Sequence, residues 1–198
     1  MNQGTWNKYL KELGSYDSEF SDGMSEEDFH PKPIVDDIET LLKLPDVKTI
    51  LCVGCGFGQE VYLFKKKGFD SCGITLSNVD IDIGKKMGLD LRLMDIHELE
   101  FDNKSFDLVF VRQVFEHALS HYILMSEFSR VVKDNGYVAI FLPYIYEWSD
   151  YERHTIVPTR FQLTSLARKF GLILKDHFIR VSDERKWNSY IYLFKKEV

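Results

Sequence analysis

The run Leu51-Cys52-Val53 leads straight into Gly54-Cys55-Gly56-Phe57-Gly58, and a helical pattern starts at Gln59. An apolar run that ends in alternating glycines and turns into a helix is the strand–turn–helix unit on which a parallel sheet is built. Glycine at such a turn lets backbone come close to a ligand at the carboxyl edge of the sheet. The dinucleotide fingerprint G-x-G-x-x-G needs a third glycine at position 59, and position 59 is Gln. The turn therefore reads as built for a nucleoside ligand and not for a pyrophosphate cradle.

The pattern after residue 34 alternates between helix and strand. Ile34, Val35, Ile38, Leu41 and Leu42 recur at helical spacing. Strands are expected at Thr49–Val53, Phe69–Ile74, Leu89–Met94, Phe106–Val111 and Tyr137–Pro143. Helices are expected at Gln59–Lys67, Asn78–Met87, His121–Lys133 and from Thr159 to Phe170, with Asp134-Asn135-Gly136 as a turn. Leu172–Val181 and Ser189–Lys196 are two further strands with no helix between them. This order predicts an α/β fold: a Rossmann-like, doubly wound, seven-stranded sheet, mostly parallel, whose last strand runs antiparallel. Residues 34–198 form that domain, and residues 1–33, polar with scattered aromatics, form an arm or cap.

Composition narrows the function. A formal net charge of −6 on 198 residues lacks the basic footprint that nucleic acid requires, so none is expected as partner. No apolar run reaches the length of a membrane span, and with no basic segment followed by an apolar stretch near residue 1 no signal peptide is expected. Cys52, Cys55 and Cys72 are three, an odd number, and fit free thiols in a cytoplasmic protein. Cys52 and Cys55 spell C-x-x-C, but one falls in a buried strand and the other in the glycine turn, so neither reads as a redox nucleophile. His117 and His121 are four apart without a third ligand, and no metal is expected.

In this order the motifs resemble those of class I S-adenosylmethionine (SAM)-dependent methyltransferases. The chain is similar to the small-molecule group that includes the ubiquinone/menaquinone-biosynthesis type. The resemblance implies that Gly54, Cys55 and Gly56 wrap the methionine half of SAM. Thr75 and Leu76 of Gly73-Ile74-Thr75-Leu76-Ser77 fall where the family holds the ribose, usually with Asp or Glu. A threonine offers a hydroxyl and no charge, so a Thr75→Asp replacement is expected to tighten the hold. Asp80 and Asp82 are the substitutes at hand for that acid, but they lie inside the next helix and read as its solvated face. Asp95 is implied as acceptor for the adenine amino group, with Ile96 packing the ring. Arg112 and Gln113, just past the fourth strand, fall near the methionine moiety. Arg112 there serves the cofactor carboxylate, an acidic substrate or a rim salt bridge.

The resemblance also implies SAM as cofactor, S-adenosylhomocysteine (SAH) as product and a small-molecule acceptor, in a monomer or homodimer. Methyl transfer to oxygen or carbon needs a proton removed, whereas an amine need only be neutral. His154, in the aromatic run 143–154, is the first candidate base or acceptor contact, and His117 the second. Tyr144 and Tyr146 either line the acceptor pocket or pack. The competing reading is a non-catalytic SAM-fold binding protein, supported by the missing ribose carboxylate.

Overall fold

The computed structural model describes residues 32–143, 156–180 and 189–197. Helix α1 is Lys32–Leu41, followed by β1 (Thr49–Val53), α2 (Gln59–Lys66), β2 (Asp70–Thr75), α3 (Asn78–Lys86) and β3 (Leu91–Leu93). Then come β4 (Phe106–Arg112), a single 3-10 turn at Phe115–His117, α4 (His121–Val131), β5 (Val132–Pro143), α5 (Arg160–Arg168), β6 (Leu172–Arg180) and β7 (Ser189–Lys196). The seven strands form one sheet in the order β3-β2-β1-β4-β5-β7-β6. All pairs from β3 to β5 are parallel, and β7 runs antiparallel to both β5 and β6. The doubly wound sheet with its antiparallel last strand is as expected.

The central strands are apolar on both faces because helices cover both. Alternate residues of one strand serve different cores. Leu51 and Val53 pack with Val109, Val138, Phe128 and Leu163 on the side of α4 and α5. Ile50 and Cys52 pack with Ile38, Val61, Phe64, Phe110 and Phe141 on the side of α1 and α2. Phe64 meets Phe110 edge to face at 5.4 Å. At the amino edge, Asp107 Oδ2 accepts from the backbone N–H of Lys48 and Thr49, while Oδ1 stands 2.9 Å from Lys133 Nζ. One carboxylate thus pins β1, β4 and β5 in register.

Helix starts follow side-chain chemistry. Ser77 caps α3 and Ser120 caps α4, and Thr159 with Gln162 forms a reciprocal capping box on α5.

Three expected boundaries shift. The stretch Asp134–Gly136 is not a separate turn. Val132 pairs with Phe106, so β5 follows α4 directly, and a left-handed Asn135 (φ 63°) bends the strand internally. β3 is only three residues long, because the Leu89 N–H is engaged by the Gly84 carbonyl at the end of α3. The arm is expected to reach residue 33, but α1 begins at Lys32; residues 1–31 lie outside the described ones.

Candidate functional site

The carboxyl ends of β1, β2 and β4 enclose a cavity of about 360 Å³. Its floor is the glycine turn, with Gly54, Gly56 and Phe57. Gly54 has φ +61°, and a Cβ there would stand 2.4 Å from Val114 Cγ2. Gly58 has φ +98° and caps α2, where a Cβ would meet Leu89 at 2.8 Å. Both positions demand glycine, one for space beside the cavity and one for helix packing.

One wall is polar. Thr75, Leu76, Ser77 and Asp80 line it. The Asp80 carboxylate is buried at 3% exposure and accepts from the Thr75 hydroxyl at 3.3 Å. The Ser77 N–H in turn donates to Thr75 Oγ at 3.2 Å. Asp80 therefore does not lie on a solvated helix face. Capping of α3 by Ser77 aims the first turn of that helix at the cavity. Asp82 is exposed and pairs with Lys85, as expected.

The facing wall is apolar, with Met94 and Ile96. Between them Asp95 sits in a tight turn. Its Oδ1 accepts from the N–H of His97 and lies 2.8 Å from His97 Nδ1, while its Oδ2 is buried without a hydrogen-bond partner. His97 Nε2 accepts from the Ser120 N–H, so the network assigns the proton to Nδ1. A buried carboxylate oxygen without a donor is costly unless a ligand supplies one.

Gln113, Val114 and His117 close the end of the cavity near β4. Gln113 adopts a left-handed φ of 53° and ties its N–H to the Phe141 carbonyl at 2.9 Å. This places its amide at the rim, with Nε2 3.3 Å from Ser189 Oγ.

Of the residues singled out from the sequence, Gly54, Gly56, Thr75, Leu76, Ile96, Gln113 and His117 all line this one cavity. Cys55, Asp95 and Arg112 do not. Cys55 points under the turn toward Gly73, whose absent Cβ would stand 2.4 Å from Cys55 Sγ. Burial, then the Glu60 charge, pushes the thiols of Cys52 and Cys55 well above their usual range, so neither is a nucleophile. Arg112 turns to the other side of β4. Its Nε lies 3.1 Å from Asp37 Oδ2, and a terminal nitrogen 3.8 Å from Glu60 Oε1. Arg180 shares the same acid, with Nε 2.7 Å from Asp37 Oδ1, a close ion pair whose N–H is not aligned for a hydrogen bond. Asp37 is fully buried, and burial lifts its carboxyl to about 6 against the pull of both arginines. His154, Tyr144 and Tyr146 lie outside the described residues.

Sequence reading missed Asp37, Glu60, His97, Arg180 and Ser189. All but His97, which stands in the turn after β3, are polar residues within apolar periodic stretches or at strand ends, and that position was the available signal. Among the described residues there is no cluster of three metal-ligating side chains, and no helix is long and apolar enough to cross a membrane.

Comparison with known proteins agrees with this geometry. Residues 51–140 match the family described as "Methyltransferase domain". A curated relative, 2-methyl-6-phytyl-1,4-hydroquinone methyltransferase of Synechocystis, is 32% identical over 49% of this chain and 32% of its own length. Sarcosine/dimethylglycine N-methyltransferase of Aphanothece halophytica is 29% identical over 44% of this chain and 35% of its own length. The chain thus spans about a third of the curated relatives it matches. The solved 1,6-didemethyltoxoflavin-N1-methyltransferase of Burkholderia thailandensis, with bound 1,6-didemethyltoxoflavin and SAH, superposes with a TM-score of 0.74. It is 14% identical, with 100% of this chain and 92% of that one covered, a likeness of fold.

Proposed function

We propose that this chain, whose residues 51–140 match a methyltransferase domain, is a class I, SAM-dependent enzyme that methylates a small-molecule acceptor. The observation that carries the reading is one cavity with an acid–hydroxyl pair on its polar wall and, between two residues of its apolar wall, a buried carboxylate oxygen without a partner. The Thr75–Asp80 pair is suited to a ribose diol, and the unpartnered Asp95 Oδ2 is suited to an exocyclic amine.

The residues present fit SAM. Gly54 and Gly56 let backbone approach the methionine half, and the start of α2 turns the positive end of its dipole toward the carboxylate. Asp80 accepts from the ribose hydroxyls, with Thr75 holding it in place. Met94 and Ile96 sandwich the purine while Asp95 accepts from its amino group. Gln113, Val114 and His117 wall the reacting end. When bound, SAM supplies a methyl on a sulfonium whose leaving group departs neutral, so no acid is required of the protein. The chain's contribution is alignment and exclusion of water. His117 is the candidate among the described residues for taking a proton from the acceptor, and His154 remains the other.

The competing reading, a non-catalytic binding protein, drew its support from the missing carboxylate at position 75. Asp80 removes that support. We assign the protein to the cytoplasm on its three buried free thiols, and to work without nucleic acid on its net charge of −6. The curated relatives' named acceptors, a hydroquinone and a methylated glycine, favour a small molecule.

Calorimetry with SAM and SAH, followed by a labelled-methyl screen over amines, phenols, sugars and quinone precursors, tests this. Binding of both nucleosides and label in one acceptor class is expected. No binding of either overturns it.

A further inference from the structure

We propose that Arg180, Ser189 and Gln113 anchor a carboxylate of the methyl acceptor, so that the substrates are small carboxylic acids. This rests on the methyltransferase reading above.

The three side chains converge from three strand ends. Ser189, the first residue of β7, is 2% exposed and pairs in register with Pro143 at the end of β5 and with Arg180 at the end of β6. Its hydroxyl lies 3.3 Å from Gln113 Nε2 and 3.4 Å from a terminal nitrogen of Arg180. The serine thus links a cavity-lining amide to a guanidinium.

That guanidinium shares its acid. Arg180 and Arg112 share a single acid, Asp37, one on each oxygen. Glu60 reaches only the far nitrogen of Arg112, at 3.8 Å. The Arg180 side chain is 13% exposed, and its remaining terminal nitrogen carries no hydrogen bond among the described residues. A desolvated guanidinium with spare donors binds a planar two-oxygen anion strongly, because charge and fork geometry act together.

The cofactor's own carboxylate is the other anion at hand, and the SAH affinity of the Arg180 variants separates the two. Arg180 stands at the end of β6, beside the places where β5 ends and β7 begins, whereas the glycine turn follows β1. Arg112, paired with Glu60 in the first turn of α2, turns away from the cavity. Arg180 approaches from beyond Gln113.

The test titrates SAH-loaded protein with benzoate and phenylacetate, and with the neutral isosteres benzamide and phenylacetamide. The acids are expected to bind about tenfold or more tighter than the amides, the worth of a charged hydrogen bond. Arg180→Met should abolish that preference and leave SAH affinity within about twofold. Arg180→Lys keeps a charge opposite Asp37, and so the fold, but not the fork; it should lose most of the preference. Equal binding of acids and amides, full preference in Arg180→Lys, or an equal loss of SAH affinity in Arg180→Met each overturns the proposal. If wild-type protein fails to bind SAH, the methyltransferase reading falls. The acid–amide comparison on the protein alone then still decides the anchor.

Discussion

The Thr75 hydroxyl donates to the Asp80 carboxylate across 3.3 Å. The acid that the end of β2 lacks therefore stands five residues further on, in the first turn of α3. Asp80→Asn should weaken SAH binding by about 1.5–3 kcal/mol, the range for a hydrogen bond to charge. Calorimetry reads this directly, and unchanged affinity would move the ribose elsewhere.

The same contact reverses the expectation for Thr75→Asp. A second carboxylate this close to Asp80 repels the first, and one of the two must take up a proton. The variant should bind SAH more weakly than wild type at pH 8 and regain affinity toward pH 5. Tighter binding at pH 8 would show that the two side chains move apart when the site fills.

Asp95 does two jobs with two oxygens. Oδ1 holds the His97 turn, and Oδ2 is free of protein partners. Asp95→Asn keeps a polar group for the turn but withdraws the charge. SAH should bind about 1–3 kcal/mol more weakly, with a smaller change for a purine nucleoside lacking the exocyclic amine. Equal losses for both nucleosides would assign the effect to the turn.

Burial lifts the Glu116 carboxyl to about 8, opposed by its own backbone hydrogen bond and the Arg112 charge. Folding therefore takes up a proton, and stability falls as pH rises from the unfolded value near 4.5 toward 8. Between pH 6.5 and 8.5, above the window in which Asp37 titrates, wild type should lose about 2 kcal/mol from this group. Glu116→Gln should flatten that loss in urea denaturation at the two pH values. A parallel slope in the variant would rule Glu116 out as its source.

Gly54 faces Val114 with room for no side chain, since a Cβ would lie 2.4 Å from Val114 Cγ2 at φ +61°. Gly54→Ala should destabilise by about 2–4 kcal/mol, part backbone and part clash. Adding Val114→Ala should recover the clash and leave the backbone share. Additive losses in the double variant would mean that the two residues do not meet.

The sheet was legible because its signals are local. An apolar run, a glycine turn and a capped helix repeat along the chain, and their order fixes the parallel half and the terminal hairpin. Most of the cavity was legible for the same reason, since strand ends predict the carboxyl edge. Asp80 was not. One acid among Asp80, Ile81 and Asp82 looks like any other, and only the angle at which Ser77 starts α3 turns the first inward. Asp37 and Arg112 lie 75 residues apart in sequence, and no local pattern announces their pairing. The join of α4 to β5 was hidden because Asp-Asn-Gly is turn chemistry, here spent on a bend within a strand.

The position of β7 sets the order of assembly. β7 follows β6 along the chain, yet it lies between β5 and β6. When β6 leaves the ribosome it has no neighbour to join, and β5 presents a bare flank. Completion must wait for residues 189–196, which zip to both at once, from Ser189 against Pro143 and Arg180 down to Lys195 against Tyr137 and Ile173. A nascent chain halted before them holds the nucleoside half of its pocket with one side of its sheet still open.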